Sequence, residues 1–243
     1  PFKVRMDESM MELADSVKQH GILVPSLVRP MPDGGYQMVS GHRRKRAAEL
    51  AELPTVPCIV RELTDDEAII IMVDSNLQRE QVLPSEKAFA YKMKLDAMNR
   101  QAGRPSKNNL TPVVSEKNPR TSEQLAAQVG ESREQIRRYI RLTNLVPELL
   151  DMVDNTVLKE KGTLQMALRP AVELSYLPEN EQNALLEVME SEDCTPSHAQ
   201  AIKIRDFSEK GKLNPDVILS IMQEEKPNQV EQFKIPRNRI DKF

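Results

Sequence analysis

The 243-residue sequence is poor in several residue types, and each shortage excludes a class of protein. It has no tryptophan, two cysteines and three histidines. Cys58 and Cys194 lie far apart, and no histidine or cysteine has a neighbour at metal-ligand spacing, which excludes a disulfide framework and a zinc centre. No apolar run approaches the roughly 18 residues that a membrane-spanning helix needs. Aromatic residues make up only 4%, so the core must be built from aliphatic side chains.

The net charge is only −3, although charged residues account for 29% of the chain. A protein that coats nucleic acid through bulk charge is strongly basic, so this balance excludes that mode of binding. Any contact with nucleic acid must come from local clusters of basic residues. No segment resembles a secretory signal peptide, and we therefore expect an intracellular, cytoplasmic protein.

The first eighty or so residues alternate between helical and strand patterns. Apolar residues recur at helical spacing over residues 7–20. Strand patterns follow at residues 22–30, 36–40 and 56–63. The last of these is predicted to be buried, and Thr64 with Glu67 predicts a capping box that begins the next helix. Residues 1–83 are therefore predicted to form a small α/β domain.

The middle of the chain has a polar segment followed by two short helical patterns. Residues 99–120 contain three prolines and little periodicity, which predicts a flexible connector. Capping boxes are then predicted at Thr121 and at Ser132, so each helix is started by its own side chains. Gly130 lies between the helices, where a tight turn needs a left-handed residue. This arrangement is typical of a helix-turn-helix.

The second of these helices has the charge of a recognition helix, with four arginines against the single acid Glu134. Residues at its start would reach base edges in the major groove, and those further along would contact phosphates. The predicted DNA-binding residues are Thr121, Ser132, Arg133, Glu134, Gln135, Arg137, Arg138 and Arg141. The alternative is a solvated basic helix in an ordinary bundle. Capping, spacing and charge together favour DNA binding.

Residues 40–50, SGHRRKRAAEL, place four consecutive basic side chains directly after a glycine. They join a predicted strand to a predicted helix, and the free amides and dipole of a helix N-terminus attract anions. Arg43 and Arg44 fall in the first turn, where they would add charge-assisted bonds to a bound phosphate. Three roles fit the cluster on physical grounds alone: a solvated face, a contact with the DNA backbone, or a nucleotide triphosphate site.

Several sequence boxes resemble the ParB family of chromosome and plasmid partition proteins. They are GILVP at 21–25, the segments 28–50, 55–63 and 75–91, and the helix-turn-helix that follows. The boxes cover roughly residues 1–155 and have the order of the family. The resemblance implies a ParB/sulfiredoxin-like α/β domain at 1–83, an all-α helix-turn-helix domain at 84–155 and a further helical region at 156–243.

The resemblance also implies ligands and partners. Such proteins bind CTP with Mg²⁺, and their homodimers close as clamps on double-stranded DNA that carries a palindromic site. They work with a ParA-type ATPase at the bacterial nucleoid. The cofactor-binding residues implied here are Gly41, His42, Arg43, Arg44, Ser75 and Asn76, with Asn76 also at the metal.

Two positions depart from the family pattern. His42 stands where the family usually has Glu, and Ser75 stands where a Glu helps to hold the metal. Serine is a weaker ligand for a hard cation, and Asp74 is rotated by about 100° on a helix, so at most weak CTP hydrolysis is expected. Ser40 leaves the loop without the thiolate of sulfiredoxin chemistry. The acids at 65–67 have the pattern of helix-start charges, so we expect no nuclease.

The sequence therefore predicts a DNA-binding partition protein that serves a chromosome, plasmid or mobile element. The alternative is a helix-turn-helix transcriptional regulator of a mobile element without a nucleotide switch. Both functions need the same recognition helix, so the sequence leaves both open.

Overall fold

The computed structural model describes residues 2, 4–79, 81–101, 119–159 and 162–224. It divides into two compact units, Pro1–Asn144 and Leu145–Phe243. The first unit contains a small three-stranded sheet with helices, and the described part of the second is helical. The predicted fold class, an α/β domain followed by helical regions, is confirmed. Within the described ranges, no helix is both long and apolar enough to cross a membrane.

The elements follow one another along the chain with short connections. The first unit contains α1 (Glu8–His20), β1 (Ser26–Pro30), β2 (Tyr36–Ser40), α2 (His42–Leu50), β3 (Cys58–Val60), α3 (Asp65–Leu77), α4 (Pro84–Gln101), α5 (Pro119–Val129), α6 (Arg133–Arg141) and a 3-10 turn (Leu142–Asn144). The second contains α7 (Pro147–Leu158), α8 (Leu168–Leu174), α9 (Glu179–Ser191), α10 (His198–Glu209) and α11 (Pro215–Met222).

The predicted first helix is confirmed. The side chain of Asp7 caps α1 by accepting a hydrogen bond of 3.0 Å from the Met10 amide, and Gly21 ends the helix with φ 71°. The apolar side of α1 is buried against Ala47 and Ala48 of α2. Small residues on α2 let the two helices approach closely, which places the basic start of α2 beside the start of α1.

The sheet has the strand order β2-β1-β3, with β1 and β2 antiparallel and β1 and β3 parallel. The prediction of a buried strand over residues 56–63 is wrong. Only Cys58–Val60 form β3, and Ile59 and Val60 are each 53% exposed. The physical reason is position: β3 is the edge of the sheet, so within the described residues it pairs with β1 alone.

The junction between β2 and α2 requires a glycine. Gly41 has φ 112°, and a Cβ atom at this position would lie 2.3 Å from the Ser26 hydroxyl oxygen. Ser26 is fully buried at the start of β1, so neither residue has room to move. The contact fixes the amides at the N-terminus of α2 close to the sheet.

Helix α3 begins at the predicted capping box and is paired to α4 by charges. The Thr64 hydroxyl accepts from the Glu67 amide at 3.3 Å, and the Glu67 carboxylate accepts from the Thr64 amide at 2.8 Å. Further along α3, the Asp74 carboxylate pairs with Lys94 of α4, whose side chain is only 1% exposed. A buried ammonium needs such a partner, because an unpaired charge in the interior is strongly unfavourable.

The helix-turn-helix is present, but two predictions about its surroundings are wrong. The connector predicted at 99–120 is shorter at both ends, since α4 continues to Gln101 and α5 begins at Pro119; residues 102–118 lie outside the described ranges. The capping box predicted at Thr121 does not begin α5. Thr121 lies in the first turn and is 4% exposed, because a proline two residues earlier is favourable at a helix start.

The second unit is held together by buried glutamines that bond backbone groups of other segments. The Gln200 side chain of α10 donates to the carbonyls of Ile221 and Met222 at 2.9 and 3.2 Å, at the end of α11. The Gln182 side chain accepts from the Val146 amide at 2.8 Å. Both glutamines are almost completely buried, so each satisfies backbone groups that would otherwise lack partners.

We expect Gly41→Ala to destabilise the first unit by more than about 3 kcal/mol, because the new methyl group meets Ser26 at an unfavourable φ. Gly34→Ala is the matched control: Gly34 has φ 87°, but nothing lies within 4 Å of its Cβ position, so a loss of about 1 kcal/mol is expected. Urea unfolding measures both free energies. Equal losses would mean that the contact with Ser26 costs nothing.

We expect Asp74→Asn to lower the free energy of unfolding by about 2 kcal/mol or more, because it leaves the buried Lys94 ammonium without a charged partner. Lys94→Met removes the charge and keeps the volume, so its effect should stay within about 1 kcal/mol. Thermal and urea unfolding of the two variants test this asymmetry. A larger loss for Lys94→Met than for Asp74→Asn would contradict it.

Candidate functional site

Three arginines from different segments of the first unit line one cleft. The cleft has a volume of about 720 Å³ and is lined by Arg5, Arg43 and Arg79. Its other charged residues are acids, three at the start of α1 and Glu86 of α4. The cleft is therefore an anion site whose positive charge is partly balanced when no anion is bound.

Local contacts orient the arginines. Arg43, in the first turn of α2, donates to the Ser9 hydroxyl at 2.8 Å. That hydroxyl donates in turn to Asp7 at 2.7 Å, and this hydrogen bond is the main reason that the pKa of Asp7 lies below its usual value. Arg43 is thereby tied to the N-terminal cap of α1, and its guanidinium faces the cleft.

Arg79 is the most strained charge of the cleft. Burial lowers the pKa of its guanidinium, Glu86 opposes that effect, and the like charges of Arg43 and Arg5 lower the pKa further. Its guanidinium also lies 5.6 Å from the Phe2 ring centroid. A bound anion would relieve the repulsion among the three arginines.

The basic cluster of residues 43–46 does not act as one group. Arg44 donates to the carbonyl oxygens of Val24 and Pro25, at 2.5 and 2.7 Å, and so ties the segment before β1 to α2. Arg46 pairs with Glu49 on the same helix at 3.0 Å. Of the two arginines predicted to contact phosphate, only Arg43 lines the cleft.

His42 remains neutral near pH 7. Desolvation is the main cause that lowers the pKa of its imidazole, and the positive charges of Lys45 and Arg79 lower it further. The side chain itself is largely exposed beside Gly41. His42 can therefore offer a hydrogen bond to an anion but no positive charge.

Ser75 and Asn76 lie in the last turns of α3, and both are bonded to the backbone. The Ser75 hydroxyl donates to the Met72 carbonyl at 3.0 Å, and the Asn76 amide donates to the same carbonyl at 2.7 Å. Asp74 is committed to Lys94. Within the described residues, no three acids, histidines or cysteines form a metal-binding group. The donors near Asn76 therefore do not form the carboxylate-rich site that Mg²⁺ prefers.

The helix-turn-helix presents one face to its own core and the other to solvent. Gly130 has φ 69°, as predicted for the turn, and the Ser132 hydroxyl caps α6 by accepting from the Gln135 amide at 3.1 Å. Ile136 and Ile140 are buried with Tyr91 of α4 and Leu125 of α5. The opposite side of α6 therefore faces outward.

The outward side of α6 has the predicted charged residues. Arg133 lies 3.6 Å from Glu123 of α5, and Glu134 lies 3.8 Å from Arg137 and 3.7 Å from Arg138. These arginines keep 41 to 45% of their side-chain surface exposed. Surface pairs of this kind contribute little stability, so the arginines can exchange them for phosphates. Gln135 and Arg141 are partly buried on the same helix, whereas Thr121 is buried away from this surface.

Sequence reasoning missed two arginines of the cleft, Arg5 and Arg79. Arg79 follows Asn76 closely in a box that the resemblance includes, so this box was a usable signal. Arg5 lies in a short segment before α1 with no pattern of its own. Only the packing of α1 on α2 brings it to the cleft.

Comparison with known proteins assigns a family to two stretches of the chain. A family model described as the ParB N-terminal domain matches residues 1–77, which contain α1 to α3 and the sheet. A second model, described as the ParB HTH domain, matches residues 113–200. Together the two matches account for more than half of the chain.

Curated relatives agree with these matches. A chromosome-partitioning protein Spo0J of Thermus thermophilus is 35% identical over 190 residues, which cover 78% of this chain and 60% of that protein. A stage 0 sporulation protein J of Bacillus subtilis is 39% identical over 166 residues, covering 68% and 49%. The chain thus spans about half of the length of these relatives.

Among solved structures, a C-terminally truncated chromosome-partitioning protein ParB from Caulobacter crescentus, complexed to the centromeric parS site, is 25% identical, with a TM-score of 0.44. The alignment covers 93% of this chain and 92% of that one. Two domain models of one family, in the order predicted from the sequence boxes, together with these chromosome-partitioning relatives, show that this chain belongs to the ParB family.

Proposed function

We propose that this chain is a DNA-binding partition protein that responds to CTP and serves the segregation or maintenance of a chromosome, plasmid or mobile element. The observation that supports it is the presence, in one compact unit, of an arginine-lined cleft and an outward-facing basic helix. We further propose a nucleotide-binding domain at 1–83, a DNA-binding domain at 84–155 and a helical C-terminal region at 156–243.

The cleft suits a nucleotide triphosphate. Arg5, Arg43 and Arg79 supply charge, and the free amides at the N-terminus of α2 supply donors. Gly41 has no side chain, so the backbone of the loop can approach a phosphate closely. Arg44 supports this site indirectly by holding residues 24 and 25 against α2.

A divalent metal, when bound, would neutralise phosphate charge. Asn76 is the proposed protein ligand for Mg²⁺. Because Ser75 is neutral and Asp74 is paired with Lys94, no carboxylate of this region is available to support it. We therefore propose nucleotide binding with weak hydrolysis at most.

On the DNA side, Ser132, Arg133, Glu134 and Gln135 would reach base edges, and Arg137, Arg138 and Arg141 would contact phosphates. A palindromic site is read by two copies related by two-fold symmetry, so we propose a homodimer. The names of the curated relatives describe chromosome partitioning, and a ParA-type ATPase at the nucleoid of the bacterial cytoplasm is the partner that this activity implies.

A transcriptional regulator without a nucleotide switch is the second candidate function. The observation that favours it is the lack of a carboxylate beside Asn76. Retention on end-blocked DNA separates the two functions. A clamp stays bound after a salt wash only when CTP is present, whereas a regulator is released to the same extent with and without CTP.

We expect Arg43→Ala and Arg79→Ala each to weaken CTP binding at least about tenfold, because each removes a charge-assisted bond worth about 1.5–3 kcal/mol. Arg46→Ala is the control, since Arg46 pairs with Glu49 outside the cleft and should leave the affinity unchanged. Calorimetric titration with CTP and Mg²⁺ measures all three variants. Absence of binding by the unaltered chain at millimolar CTP would refute the nucleotide proposal.

We expect Gln135→Ala and Arg138→Ala to affect DNA binding in different ways. Loss of a base contact should cost about 1–3 kcal/mol and relax sequence preference, whereas loss of a phosphate contact should weaken binding to all sequences and reduce the salt slope by about one. The measurement is fluorescence anisotropy with a duplex enriched from a randomised library. Lys18→Ala, on α1, removes a positive charge away from α6 and should have no effect. Unchanged binding in both α6 variants would contradict the proposed surface.

A further inference from the structure

We propose that Lys87 is the positioning residue through which the nucleotide cleft is coupled to the recognition helix, so that CTP in the cleft changes the affinity of α6 for DNA. The inference rests on the proposed function and assigns its coupling to the first turn of α4. Two consecutive residues there, Glu86 and Lys87, face different sites, because neighbours on a helix are rotated by about 100°.

Glu86 is the cleft side of this turn. It is only 5% exposed, and its carboxylate accepts from the Leu83 amide at 3.2 Å, which fixes the start of α4. It lines the cleft together with Arg79, whose guanidinium it stabilises in the charged form. A triphosphate that engages Arg79 changes the electrostatic balance at Glu86, and therefore at the first turn of α4.

Lys87 is the DNA side of the same turn. Its ammonium lies 2.8 Å from the Glu131 carboxylate, in the turn between α5 and α6, and 5.1 Å from the ring centroid of Tyr139 on α6. Lys87 and Glu131 keep only 27% and 21% of their side-chain surface exposed, so the pair is partly shielded from solvent. One side chain therefore holds both the turn and the recognition helix.

Tyr91, one turn further along α4, gives the contact its rigidity. Its ring is 2% exposed and meets the Tyr139 ring edge-on, at 5.9 Å between centroids and an angle of 72°. Because α4 grips α6 at two successive turns, a shift of α4 must move α6 as well. Without the pair between Lys87 and Glu131, the tyrosine contact alone would leave the turn free to move independently.

The experiment measures the coupling factor, which is the ratio of the DNA dissociation constants with and without CTP and Mg²⁺. By linkage, DNA must change the CTP affinity by the same factor, so two titrations give one number. The probe is a duplex enriched from a randomised library, and the unaltered chain should show a factor of about fivefold or more in either direction.

We expect Lys87→Met to bring the factor close to one, while its CTP affinity without DNA stays within about twofold of the unaltered chain. Lys92→Met is the matched control on the same helix, because Lys92 donates to Thr143 instead of the turn. Lys87→Glu and Glu131→Lys should each abolish coupling, and the double variant should restore it, because the exchanged charges can pair again. Restoration in the double variant also shows that the loss in the single variants is not general unfolding.

The possible failures are distinguishable. If the unaltered chain binds no CTP, the proposed function fails, and this inference fails with it. If the unaltered chain is coupled and Lys87→Met has the same factor, the role of Lys87 alone is overturned. Equal loss of coupling in Lys92→Met, or no recovery in the double variant while both proteins are folded, would also overturn it.

Discussion

The packing of α4 against helices on both of its sides is the constraint on which the rest of the first unit depends. On one side, buried Lys94 pairs with Asp74 and holds α4 to α3. On the other, Tyr91 is buried among the apolar residues of α5 and α6. A single helix makes both contacts, so the cleft beyond α3 and the outward face of α6 have fixed positions within the unit. Loss of either contact would separate the two candidate sites mechanically.

Local clustering explains how a chain with a net charge of −3 presents two basic sites. The cleft gathers three arginines from distant segments, and nearby acids reduce their mutual repulsion. On α6, Glu134 has the same role between Arg137 and Arg138. In both places the acids act as internal counter-ions that phosphates can replace. The average charge of the chain is therefore a poor guide to its partners, because binding depends on the field at the site.

The departures from the family pattern acquire a physical meaning in the structure. His42 is neutral where the family usually has an acid, so the start of α2 is more favourable to an anion. Ser75 is bonded to the backbone and Asp74 to Lys94, so neither replaces the missing carboxylate. These substitutions retain the features that attract a triphosphate and weaken those that support a metal. They fit a protein in which nucleotide binding matters more than turnover.

The sequence by itself determined the features whose causes are local. The starts of α1, α3 and α6 were predicted correctly, because a capping side chain bonds an amide two or three residues away. The left-handed Gly130 was predicted from the same short range. Only the tertiary structure decided the exposure of β3, the backbone partners of Arg44, the meeting of Arg5 with Arg79, and the pair between Lys87 and Glu131. These depend on contacts between residues far apart in the chain, which local spacing does not encode.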